Sequence, residues 1–104
     1  MNTENPLVLL VLNATPDLED ELVDTLLGFG EGLGFTSEQV RGHSSQLTGL
    51  SLAEQVSGRR KRVQFQVHLP LADARALLAR LRGTFPGADL HYWLAPLIEA
   101  GSLA

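Results

Sequence analysis

Four consecutive cations, Arg59-Arg60-Lys61-Arg62, make up half of the chain's eight Lys and Arg residues. A cluster of that density focuses negative field when it lines a cleft, and can then hold a phosphate or another small anion. The same run also serves as a solvated strand edge, kept from pairing with other chains by its charge. The histidines His43, His68 and His91 are the second group with chemistry to offer. Imidazole suits Zn, Cu or Ni. A metal site needs three or four ligands, and the chain contains no Cys to supply them. Ser44 and Ser45 beside His43 are the types of a nucleophile and its base, but no acid is placed to orient the His and no catalytic motif is present. The reading is non-enzymatic. Asp17, Glu19, Asp20, Glu21 and Asp24 read as a solvated helix face.

Composition narrows the classes further. The 104 residues suit one domain with one modest core, and 44% hydrophobic residues mark a folded chain. The net charge of -4 argues against general nucleic-acid binding and against an anionic membrane surface. The absence of Cys suits a reducing cytoplasm. Met1 to Asn5 lacks the basic start of a signal peptide, and the apolar run Leu7 to Leu12 is too short for a membrane span. Cytoplasmic location without membrane insertion is the expectation.

The elements follow from periodicity. The unbroken run from Leu7 to Leu12 predicts a central strand with apolar surroundings on both faces. Thr15 and Pro16 predict a helix start, with Leu18, Leu22, Leu26, Val23 and Leu27 as its apolar stripe and Gly28 and Gly30 as its end. Leu33 to His43 is a weaker strand. Leu33 and Phe35 differ in parity from Val40, which predicts a bulge or an irregular start. From Arg62 to Leu69, Val63, Phe65, Val67 and Leu69 alternate cleanly with polar residues. Pro70 opens a second helix carrying Leu71, Ala74, Leu77, Leu78 and Leu81 inward, and Gly83 is its expected stop. Leu90, Tyr92 and Leu94 alternate with His91 and Trp93 in a last strand, ended by Pro96. The residues after it suit a short helical turn or an extra strand.

This order predicts one α+β domain over 1–104, of ferredoxin-like βαββαβ plan. A four-stranded antiparallel sheet, order 4-1-3-2, carries two helices on one face and has a long loop at about 44–58. The other face, with Trp93 and half of the first strand, suits burial against another subunit. In this topology His43 and His91 lie at the loop end of opposite edge strands, so they meet only across subunits. His68 lies at the other end.

With these elements in place the chain resembles the PII-like superfamily. The likeness is sharpest at Val40-Arg41-Gly42-His43-Ser44-Ser45-Gln46, leaving the second strand, and at Arg60-Lys61-Arg62-Val63-Gln64-Phe65-Gln66-Val67, beginning the third. PII proteins leave their second strand with a similar Val-Arg-Gly step and a following Gln, and they hold a long T-loop between the two. The resemblance implies a homotrimer with sheets around a three-fold axis and ligand clefts between subunits at the loop bases. It also implies a loop that contacts targets such as membrane transporters. Within the superfamily the chain looks most like small domains, some associated with heavy-metal efflux systems. One departure stands out. The segment Arg82-Gly83-Thr84-Phe85-Pro86-Gly87-Ala88 is short and lacks the Lys of the second phosphate loop, so ordinary ATP binding is not expected.

The expectation is a trimeric regulatory protein whose loop binds a partner, a transporter or efflux component, under control of a small anion or divalent metal. Arg41, Gly42, Gln46, Arg59, Arg60, Lys61 and Arg62 are the ligand candidates. Leu50 and Leu52 are the partner anchors, because buried apolar anchors dominate interface energies, and His43 and His91 are the metal candidates. Two rivals use the same fold. One is a small-molecule-sensing module of the amino-acid-binding type. The other, an RNA-recognition domain, needs stacking aromatics on the first and third strands. Here the first strand has none, and Phe65 is assigned to the core.

Overall fold

A computed structural model describes residues 4–30, 32–43 and 59–104. Strand β1 (Leu7–Ala14) leads through a short 3-10 turn (Pro16–Leu18) into helix α1 (Glu19–Leu27). Strands β2 (Phe35–His43) and β3 (Arg59–Pro70) follow, then helix α2 (Leu71–Thr84) and strand β4 (Leu90–Pro96). The sheet order is β2-β3-β1-β4, every pair antiparallel, so β1 is indeed flanked on both sides.

Alternation decides what each face holds. Leu10 and Leu12 of β1 and Val63, Phe65 and Val67 of β3 turn to the helices and are essentially fully buried. They meet Leu22 and Leu26 of α1 and Ala74, Leu77, Leu78 and Leu81 of α2. Fully burying each such Leu or Phe stabilises the fold by about 1.5–3 kcal/mol. Phe35 packs its ring 6.2 Å from that of Phe65, in a tilted arrangement. The open face is mixed. Val11 is buried there between Gln66 and Trp93, its neighbours on β3 and β4. Trp93 itself stays 47% exposed.

Three local expectations are corrected, and one of two alternatives for the second strand is decided. Thr15 makes no side-chain cap, and Pro16 opens a 3-10 turn, so the α-helix proper begins only at Glu19. Of the two alternatives expected for the second strand, the irregular start holds, since Leu33 and Gly34 precede β2 without strand structure, and a bulge does not, because the pairing with β3 runs in one register from Phe35 opposite Val67 to His43 opposite Arg59. The parity clash disappears because Leu33 precedes the strand, while Val40 faces the open side of an edge strand that is mostly exposed. Gly83 does not stop α2. The helix runs to Thr84 and ends where Phe85 leaves helical geometry, and the positive φ of the following turn falls on Gly87. Residues 97–104 form neither a helical turn nor a strand.

Candidate functional site

Strand alternation splits the cation run across the sheet. Arg60 and Arg62 share the open face with Asn13 and His91, whereas Lys61 shares the helix-side face with Gln39 and Arg41. Two different environments result at the same loop end.

On the open face the centre is Asp89, just before β4. Its Oδ2 lies 3.1 Å from Arg62 Nη1 and 3.2 Å from Arg60 Nη1, and its Oδ1 lies 2.9 Å from His91 Nε2. Arg62 is only 4% exposed. Its Nε donates to Asn13 Oδ1, and its Nη2 donates to Asn13 O at 2.9 Å and to Asp89 O at 3.4 Å. Arg62 Nη1 faces Asp89 as an ion pair without the geometry of a hydrogen bond. The guanidinium thus ties the end of β1 to the turn before β4. Partial burial of Asp89 works against its ionisation. The contact with Arg62 and its charge, then the charge of Arg60 and the contact with His91, outweigh this and hold the carboxyl below its ordinary pKa.

Gly42 fits this packing. A Cβ placed there would come 3.3 Å from Arg62 Cγ and 3.7 Å from Arg60 O. Gly42 in the Val40-Arg41-Gly42 step therefore has a steric reason: a Cβ there would press on the stem of Arg62.

The second environment is a cavity of about 680 Å³ lined by Pro16, Gln39, Val40, Arg41, Lys61 and Arg62. Exposed Arg41 and Lys61 sit opposite each other in the β2–β3 register. Clustered cations in such a concavity favour an anion.

Of the expected ligand residues, Arg41, Lys61 and Arg62 come together at the cavity. Arg60 is turned toward Asp89, and Gly42 packs against the Arg62 stem. Gln46, Leu50, Leu52 and the side chain of Arg59 lie outside the described residues. His43 and His91 stand on opposite edge strands and on opposite faces, and His91 is engaged with Asp89. No cluster of three or more metal-ligating side chains occurs among the described residues. Asn13 and Asp89 are the contributors missed in the sequence. The signal for Asn13 is its parity, which departs from the apolar β1 run on the face Arg62 shares. For Asp89 nothing local distinguishes a loop acid from any other.

A four-stranded antiparallel sheet of this order with two helices on one face is the ferredoxin-like fold, which PII-like proteins also have. Within it the chain belongs to the family described as "Protein of unknown function (DUF3240)", whose profile matches residues 4–104. A DUF3240 family protein from Shewanella baltica is 31% identical and superposes with a TM-score of 0.74, covering 100% of both chains. A protein from Thermus thermophilus described as PII-like and signalling is 22% identical, with TM-score 0.63 over 88% of this chain and 86% of that one. CPII of Thiomonas intermedia, a nitrogen regulatory PII-like protein bound to ADP, AMP and bicarbonate, is 16% identical. Its TM-score is 0.66 over 88% of this chain and 90% of the other. No curated protein matches the chain.

Proposed function

We propose that the chain is a non-enzymatic, cytoplasmic regulatory protein that assembles as a homotrimer and binds a small anion at the base of its β2–β3 connection. The observation that carries this reading is the cavity lined by Arg41, Lys61 and Arg62 beside Pro16. Arg62 is immobilised by Asn13 and Asp89, so it gives the cavity a fixed wall, while Arg41 and Lys61 at the surface supply the charge. A carboxylate-sized or phosphate-bearing ligand suits such a site. The nucleotides and bicarbonate found on CPII are the first ligands to try. In this reading the connection 44–58, with Leu50 and Leu52, contacts a transporter or efflux partner, and occupancy of the cavity controls that contact. A sensing module of the amino-acid type would fill the same cavity with a zwitterion. The RNA reading loses its stacking platform, because Phe65 is buried in the core.

Calorimetry with ADP, AMP and bicarbonate tests the proposal. Binding of at least one is expected, weakened roughly ten-fold or more in the Arg41→Ala, Lys61→Ala double variant, since each charge-assisted contact contributes about 1.5–3 kcal/mol. Binding that ignores both substitutions, or no binding of any anion, would remove the cavity's role. Amino-acid binding instead would favour the sensing module.

A further inference from the structure

Residues 97–104 leave the far end of β4 and are tied to the fold by the Leu97 N–H, which donates to Leu7 O at 3.1 Å. Beyond that point Ile98 is 91% exposed and Leu103 fully exposed. One exposed aliphatic residue is ordinary; two on one short segment, with Glu99 between them, form the pattern of a docking segment.

A groove of about 320 Å³ opens at the other end of β4, against the C-terminal half of α2. Leu81, Phe85 and Leu90 make its floor, and Arg82, Pro86 and Tyr92 its rim. Tyr92 is 46% exposed, with the Arg82 guanidinium 5.7 Å from its ring centre and Arg82 Nη2 donating to its hydroxyl at 3.2 Å. An apolar floor under a cationic rim is complementary to two aliphatic anchors and an acid.

The groove cannot be filled simply by the segment of its own chain. It lies at the start of β4, whereas the segment departs from the end, about 20 Å away for a strand of this length. The segment would have to reverse along β4 to return. A second copy meets no such constraint. We propose that residues 97–104 of one copy lie in the α2–β4 groove of a second copy, with Ile98 and Leu103 on its floor and Glu99 paired with Arg82. This inference rests on the self-assembly proposed above but not on the anion.

The absence of Cys from the chain makes a clean test possible. A Leu103→Cys copy is mixed with a Pro86→Cys copy under mild oxidation. The control pairs Leu103→Cys with Ala79→Cys, another exposed position on α2. Preferential cross-linking to position 86 is expected. Arg82→Glu and Glu99→Arg, both at exposed positions, should each weaken assembly by up to about five-fold, and the double variant should restore it. An oligomer that cross-links equally to both positions, or a charge swap without rescue, overturns the segment exchange alone. A single-chain mass in light scattering at micromolar concentration overturns it together with the trimer. Loss of anion binding with cross-linking intact would touch only the cavity reading.

Discussion

Asp89 is one carboxylate facing two arginines and a histidine, and its titration is coupled to folding. Its pKa is lowered in the folded chain, so the native state binds fewer protons than the unfolded one at acid pH. Its contribution is therefore fully present above the ordinary carboxylate value. It is lost as the pH falls below that value and through the lowered pKa of the folded state. Urea unfolding followed across the acid range should show stability rising with pH through this window in the parent chain. The Asp89→Asn variant should show a shallower rise and lower stability near neutrality. Equal slopes for the two proteins would mean that the Asp89 contacts are not held in solution. Arg62 is the reason for expecting a measurable effect. It is buried, and its partner's protonation leaves its guanidinium short of a counter-charge in a place water reaches poorly.

At the scale of elements, the stem of Arg62 on β3 packs beside Gly42 on β2. The backbone at Gly42 needs no special φ, so the requirement there is space alone. Arg62 cannot swing aside cheaply, because both ends of its guanidinium are engaged. Gly42→Val should therefore destabilise the fold by about 1–3 kcal/mol, and thermal unfolding is the measurement. Gly30→Val, at a position with open space around it, is the comparison expected to stay close to the parent. If the two substitutions behaved alike, the Arg62 stem beside Gly42 would not be the constraint. The strands themselves were legible in the sequence, because β1, β3 and β4 announce their faces through apolar runs and alternation. What was illegible came from distant partners. The first amides of α2 are satisfied by Pro6 O, which accepts from Leu71 N at 2.8 Å, and by Asn5 Oδ1, which accepts from Ala72 N at 2.8 Å. No residue near Pro70 hints at either. The division of the cation run followed from alternation, yet the acid that gathers Arg60 and Arg62 lies across the sheet, where sequence distance conceals it. At Val40-Arg41-Gly42, where the likeness is sharpest, Gly42 packs against Arg62 while Val40 and Arg41 line a cavity.

For the whole molecule, the open face of the sheet is the surface to account for. Val11 is already covered, while Trp93 stands half out on the same face as Leu9 and Ala95. In a homotrimer with sheets turned inward, Trp93 becomes buried. It is the chain's one tryptophan, so its emission reports that burial without interference. Light scattering should give three times the 11.3 kDa chain mass. Dilution toward nanomolar concentration should move the emission to longer wavelength as the mass falls, and Trp93→Asp should bring both changes to higher concentration. Emission typical of an exposed indole at every concentration, with a single-chain mass, would exclude packing through this face.

The central place of β1 bears on how the protein is made. β1 leaves the ribosome ahead of both its partners, which are residues 59–70 and 90–96. At roughly 5–20 residues per second, Leu7 to Leu12 waits about 3–11 seconds for β3, and longer for β4. During that time a purely aliphatic strand, with no charge inside it, is open to any other exposed edge. The strand that most firmly organises the finished sheet is therefore the one most exposed to misassembly in the nascent chain, and a chaperone that binds aliphatic segments at the ribosome has its natural target at residues 7–12.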